Sequence, residues 1–109
     1  MSIQAFAVVI PARDEESRIA ACLESAMAAA AAVPSLPTLI VVVDDASSDR
    51  TSEVALASLQ NVDHVLIRHA LPNVGRARSG GVALALQRTR PVQPEATWLA
   101  FTDAATTDP

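Results

Sequence analysis

Apolar residues fall into short runs of two kinds along this chain. Ala5, Phe6, Ala7, Val8, Val9 and Ile10 are unbroken until Pro11, and they predict a first strand stopped by that proline. Leu39, Ile40, Val41, Val42 and Val43 predict a second. Their β-branching suits a parallel strand covered on both faces. Residues 63–68 and 97–102 predict a third and a fourth strand, the last ending on Asp103. The intervening stretches carry helical spacing. Over residues 16–33 the apolar positions are Ile19, Cys22, Leu23, Ala26, Met27 and Ala30, and Pro34 and Pro37 end the helix. Residues 51–59 predict a second helix with Val54, Ala55 and Leu59 inward. Residues 76–88 predict a third despite Gly80 and Gly81, which close backbone packing would explain.

Strand and helix thus alternate three times before a last strand. That order implies an α/β fold: a Rossmann-like, open, mostly parallel sheet with right-handed crossovers and helices on both faces. No internal repeat or low-complexity linker interrupts it. The polar ending at residues 103–109 reads as a loop, so the chain is expected to be the first part of a longer domain. An exposed sheet edge left by a missing half favours self-association, so a homo-oligomer is an expectation.

Composition narrows the function. Half of the 109 residues are hydrophobic but only 3% are aromatic, so the core must be built from Ala, Val, Leu and Ile. A net charge of −4 argues against generic nucleic-acid binding. All eight basic residues are arginine, the side chain that forks onto phosphates and carboxylates. The lone Cys22 permits no internal disulfide and reads as packing. The N-terminus has no secretory pattern, and the alanine-rich residues 28–32 are too short to span a membrane. A cytoplasmic location is the default, with membrane association only through regions beyond this chain.

The candidate chemistry lies at strand ends. Asp44 and Asp45 follow the most apolar strand, and two carboxylates beside a core are expensive unless they bind something. Three more clusters join them: residues 11–15, residues 73–78 and Asp103. A parallel sheet brings all four to one edge, where ligands bind in open α/β sheets. Carboxylates can accept from a base or ribose, arginines can hold phosphates, and a helix start adds backbone donors. An aspartate near a diphosphate can hold a hard divalent cation. The blander readings are a turn and helix cap for Asp44 and Asp45, solvated helix residues for Arg76 and Arg78, and a turn residue for Asp103. Glu15 and Glu16 could simply favour a helix start, and His64 and His69 read as structural or exposed.

These motifs together resemble a known family. Residues 8–16 (Val-Val-Ile-Pro-Ala-Arg-Asp-Glu-Glu) look like its opening motif, in which Asn usually stands at the place of Asp14. Residues 41–51 look like its second, where Gly is commoner than Ala46. Residues 73–78 are similar to its third, and residues 98–104 look like the strand leading to a metal-binding Asp-x-Asp. The family is the inverting, family 2 glycosyltransferases of GT-A fold, and the resemblance covers nearly the whole chain. It implies that residues 1–109 are the nucleotide-sugar-binding part, with the acceptor-binding half absent. It also implies a nucleoside pocket lined by Pro11, Ala12, Arg13 and Glu15, with Asp44 or Asp45 on the base or ribose. Arg76 and Arg78 would approach the diphosphate, and Asp103 would contact a divalent cation, Mg²⁺ or Mn²⁺, or the sugar. The chain departs from the pattern at Ala105, where the second aspartate is expected; Asp108 lies farther on. The departure keeps open a non-catalytic nucleotide-sugar-binding module. The family's general base and the acceptor site are assigned to no residue here. A dinucleotide-binding oxidoreductase is disfavoured, because no Gly-x-Gly-x-x-Gly follows the first strand. A phosphoacceptor regulatory domain would carry its paired acids after the first strand, where this chain has Pro-Ala-Arg.

Overall fold

The computed structural model describes residues 5–32, 36–88 and 97–101. Four strands, β1 (Ala5–Ala12), β2 (Thr38–Asp45), β3 (His64–His69) and β4 (Thr97–Phe101), form one sheet in the order β3-β2-β1-β4. Every pairing is parallel. The connections carry α1 (Ile19–Ala31), α2 (Thr51–Ser58) and α3 (Val74–Arg88). The Rossmann-like α/β architecture read from the alternation is therefore the observed one. No helix among the described residues is long and apolar enough to cross a membrane.

Side-chain alternation along the strands divides the core in two. Phe6, Val8, Ile10 and Ala12 of β1, with Ile40 and Val42 of β2, pack against Ile19, Cys22, Leu23 and Ala26 of α1 and against Ala55 and Leu59. The intervening residues Ala7, Val9, Val41 and Val43 face Ala77 and Ala85 of α3. The predicted inward positions of the first two helices are thus confirmed. Cys22 is buried and free of any disulfide.

Several boundaries differ from the expected ones for physical reasons. β1 does not stop at Pro11 but runs through it to Ala12, which pairs with Asp44. Pro11 stays in the ladder with Val43 opposite it on β2. Asp44 and Asp45 belong to β2 rather than to the loop after it. α1 starts at Ile19, because residues 15–18 form a separate turn in which Arg18 and Ile19 N–H both donate to Glu15 O. α3 starts at Val74, since Asn73 caps it: its Oδ1 accepts from Arg76 N–H at 2.9 Å.

The two glycines of α3 play different parts. A Cβ at Gly81 would lie 2.5 Å from Val9 Cγ1 and 3.2 Å from Val43 Cγ2, so a hydrogen there lets the helix sit directly on the sheet. A Cβ at Gly80 would meet nothing within 4 Å. Close packing accounts for the first glycine and not for the second. Gly81→Ala should destabilise the domain by about 1–3 kcal/mol through overpacking, whereas Gly80→Ala should be neutral or stabilising by up to about 1 kcal/mol through helix propensity. Urea denaturation midpoints of the two variants measure the contrast.

Candidate functional site

From β1 the chain steps outward to β2 and β3, then crosses to the other side of β1 as β4. The direction of winding therefore reverses beside β1. In open parallel sheets the ligand crevice lies at such a switch point, outside the carboxyl ends of the strands. Ala12, Asp45 and His69 end their strands at this edge. An apolar recess of about 390 Å³, lined by residues including Met27, Ile40, Val62 and Asp63, lies at the opposite, amino edge.

At the carboxyl edge the β1–α1 and β2–α2 loops cap each other. Asp14 N–H donates to Ser47 Oγ (2.9 Å), while Ser48 N–H donates back to Asp14 Oδ1 (2.7 Å). Glu15 N–H donates to Thr51 Oγ1 (2.9 Å), which in turn donates to Asp49 Oδ1. Glu16 N–H donates to Asp49 Oδ2 (3.2 Å), and Glu16 Oε2 accepts from Arg50 N–H (3.3 Å). Asp49 Oδ1 also accepts from Thr51 N–H at 3.0 Å. The acids ahead of the two helices thus satisfy donors at each other's starts, where the helix dipole favours negative charge.

This clasp demands two left-handed backbone positions, Asp14 (φ 53°) and Ala46 (φ 63°). They are the two positions at which the opening and second motifs depart from the resembled pattern. Asp visits this region readily, but Ala does so only under strain.

Strand alternation sends the paired aspartates to opposite faces. Asp44 shares the α2 side with Val42, and its Oδ1 accepts from Ser47 N–H (2.9 Å). Its Oδ2 accepts from the Ser52 hydroxyl, with Arg68 Nε 3.7 Å away. Asp44 therefore holds the turn after β2, as the blander reading expects, and ties to α2 through the Ser52 side chain rather than through a helix N–H. Asp45 shares the α3 side with Val43. Asn73 N–H reaches both its oxygens, at 2.8 and 3.0 Å. His69, its register partner on β3, brings Nδ1 to 3.6 Å from Asp45 Oδ1. That nitrogen is buried and makes no hydrogen bond among the described residues.

The other expected site residues are spread around this pair. Pro11 and Ala12 are buried, and Arg13 is exposed at the rim. Glu15 is half-buried, its carboxylate 3.6 Å from Arg18 Nη1. Arg76 is exposed and ties down its own loop by donating from Nη2 to Leu71 O (2.8 Å). Arg78 lies in α3 with its side chain outside the described residues. Asp103, Ala105 and Asp108 also lie outside them. Among the described residues no group of three or more His, Cys, Asp or Glu is arranged to hold a metal ion.

A family profile described as Glycosyl transferase family 2 matches residues 7–105, almost the whole chain. The chain belongs to glycosyl transferase family 2. No curated protein matches it. The resemblance carried by the four motifs is thus upheld, and a glycosyltransferase function in general follows. Sequence reading of this family 2 domain did not single out the His69–Asp45 pairing, Asn73 N–H, the acceptor roles of Ser47 and Thr51, or the donor role of Ser52. His69 had a findable signal: in a parallel β2–β3 register it falls opposite Asp45.

Two predictions concern the clasp. Relieving the left-handed strain, Ala46→Gly should stabilise the domain by about 0.5–1 kcal/mol, measured by thermal or urea unfolding. At Asp49, burial pushes the carboxyl pKa up, but the bonds from the Thr51 hydroxyl and from the Glu16 and Thr51 N–H groups outweigh it. The net pKa is below the usual 3.8. A carboxylate depressed by folding contributes stability that is present above pH 3.8 and lost as pH falls through its folded value. An acid titration of urea stability should therefore fall less steeply below that pH in Asp49→Asn than in wild type.

Proposed function

We propose that this glycosyltransferase domain binds the nucleoside diphosphate of an activated sugar donor at the carboxyl edge of its sheet, and that the sugar passes to an acceptor hydroxyl with inversion. The observation that supports the reading best is the division between the paired aspartates. Asp44 is consumed by the turn and by α2, whereas Asp45, at the edge where the winding reverses, caps no helix. The Asp45 side chain is only 3% exposed, so it would receive a single donor atom, such as a base imide or a ribose hydroxyl, rather than a bidentate clasp.

In this reading Pro11, Ala12, Arg13 and Glu15 form the wall of the nucleoside pocket. Arg76 and Arg78, at the start of α3, hold the diphosphate. Arg76 keeps guanidinium donors beyond the one spent on Leu71 O. Asp103 is this chain's contribution to a divalent cation, Mg²⁺ or Mn²⁺, whose chemistry would be to neutralise charge on the diphosphate leaving group. The deprotonation of the acceptor hydroxyl is assigned to none of these residues. Ala105, where the pattern expects an aspartate, supports a second reading in which the domain binds a nucleotide-sugar without catalysis.

Titration calorimetry with UDP and GDP, with and without Mn²⁺, tests the site. Asp45→Asn should weaken nucleotide binding by about 10–100-fold, as expected for losing a hydrogen bond to a charged group, in protein that remains folded. Asp44→Asn should instead lower stability by about 1–3 kcal/mol. Absence of binding of both nucleotides to folded wild-type protein would contradict the reading.

A further inference from the structure

The β2–β3 register sets two adjacent residues of β3 against the two aspartates of β2. Arg68 pairs with Asp44 and His69 with Asp45. On the α2 side the partners are complete, because Asp44 has Ser47 N–H and the Ser52 hydroxyl besides Arg68. On the α3 side they are not. Asn73 N–H bridges the two oxygens of Asp45, and His69 Nδ1 stands 3.6 Å from Oδ1, too far for a hydrogen bond. Nδ1 is nevertheless buried and has no other acceptor among the described residues. A buried polar atom left unpaired is costly, and native structures rarely tolerate one without a use for it.

Resting on the nucleotide-site reading above, we propose that His69 is a positioning residue, whose imidazole braces Oδ1 of Asp45 so that Oδ2 is the oxygen presented to the nucleoside. The geometry around the carboxylate carries this. Among the described residues Oδ1 faces both Asn73 N–H and Nδ1, whereas Oδ2 meets Asn73 N–H alone. A donor arriving at Oδ2 pulls on the carboxylate. Closing the 3.6 Å gap to a bond of about 2.9 Å gives Nδ1–H the acceptor it lacks. Hydrogen bonds of this kind are often long in the empty site and tighten in the complex. His69 thus acts through Asp45 and touches no ligand itself.

The test uses the full chain and two substitutions at this position. His69→Leu keeps bulk and removes the donor, while His69→Asn places an amide nitrogen near the former Nδ1. Affinity for UDP and GDP is measured by calorimetry beside Asp45→Asn. His69→Leu should bind the preferred nucleotide about tenfold more weakly, and His69→Asn should restore it to within about threefold. A purely structural histidine would show no such rescue. In wild-type protein the imidazole nitrogen resonance of His69 should shift as nucleotide saturates the site, a readout that needs no variant to fold. Wild-type affinity in His69→Leu, equal losses in both variants, or an unmoved resonance would overturn the proposal. If Asp45→Asn retains full affinity, the brace has nothing to position and the proposal falls. If wild-type protein binds neither nucleotide, the functional reading falls first and takes this inference with it.

Discussion

Two carboxylates at the buried end of β2 are the constraint on which this domain turns. Asp44 and Asp45 are 1% and 2% exposed and adjoin a β2 core of Val41, Val42 and Val43. A buried carboxylate must find donors or give up its charge. Because neighbouring side chains of a strand point to opposite faces, the two cannot share one set of donors. Asp44 draws on the β2–α2 turn and on α2, and Asp45 draws on the loop ahead of α3. One pair of residues therefore ties both helical layers to the same end of the sheet, which is also the edge where the strand order reverses.

The rest of that edge follows the same economy of donors and acceptors. The starts of α1 and α2 lie side by side, and their acidic loops cap one another, with Asp49 serving its own helix start at Thr51 as well. No side chain at Arg18 or Arg50, the positions that flank the helix starts, makes a cap hydrogen bond. The arrangement requires left-handed turns at Asp14 and Ala46, so local strain is concentrated beside the site. On the opposite face α3 lies close against β1 and β2 through Gly81, which fixes where its N-terminal turn meets the edge.

The fold was legible because its apolar runs are long, β-branched and separated by helical spacing. All seven elements lie where that pattern puts them. Their ends were less legible. A proline ordinarily stops a strand, yet β1 passes Pro11 beyond the described end of β4. Acidic residues after a strand ordinarily begin a loop, yet Asp44 and Asp45 stay in the ladder because their donors come from other elements. The gathering of residues 11–15, Asp44, Asp45 and residues 73–76 at one edge of the sheet was readable from topology and motif order. The division of labour between the aspartates was not, since it depends on which face of β2 each side chain takes. The pairing of His69 with Asp45 was not read, because the two lie far apart in sequence and are adjacent only through strand register. Gly80 and Gly81 look alike in sequence, and only the helix rotation separates them.

The central claim is that Asp45, and not Asp44, is the carboxylate left for the nucleoside. The most direct measurement is a crystal structure of the protein with its preferred nucleoside diphosphate bound. The account predicts one nucleoside donor at about 2.8–3.0 Å from Asp45 Oδ2, with Asp44 still held by Ser47 and Ser52. A nucleotide hydrogen-bonded to Asp44 in place of those partners, or bound away from the carboxyl edge of the sheet, would contradict it.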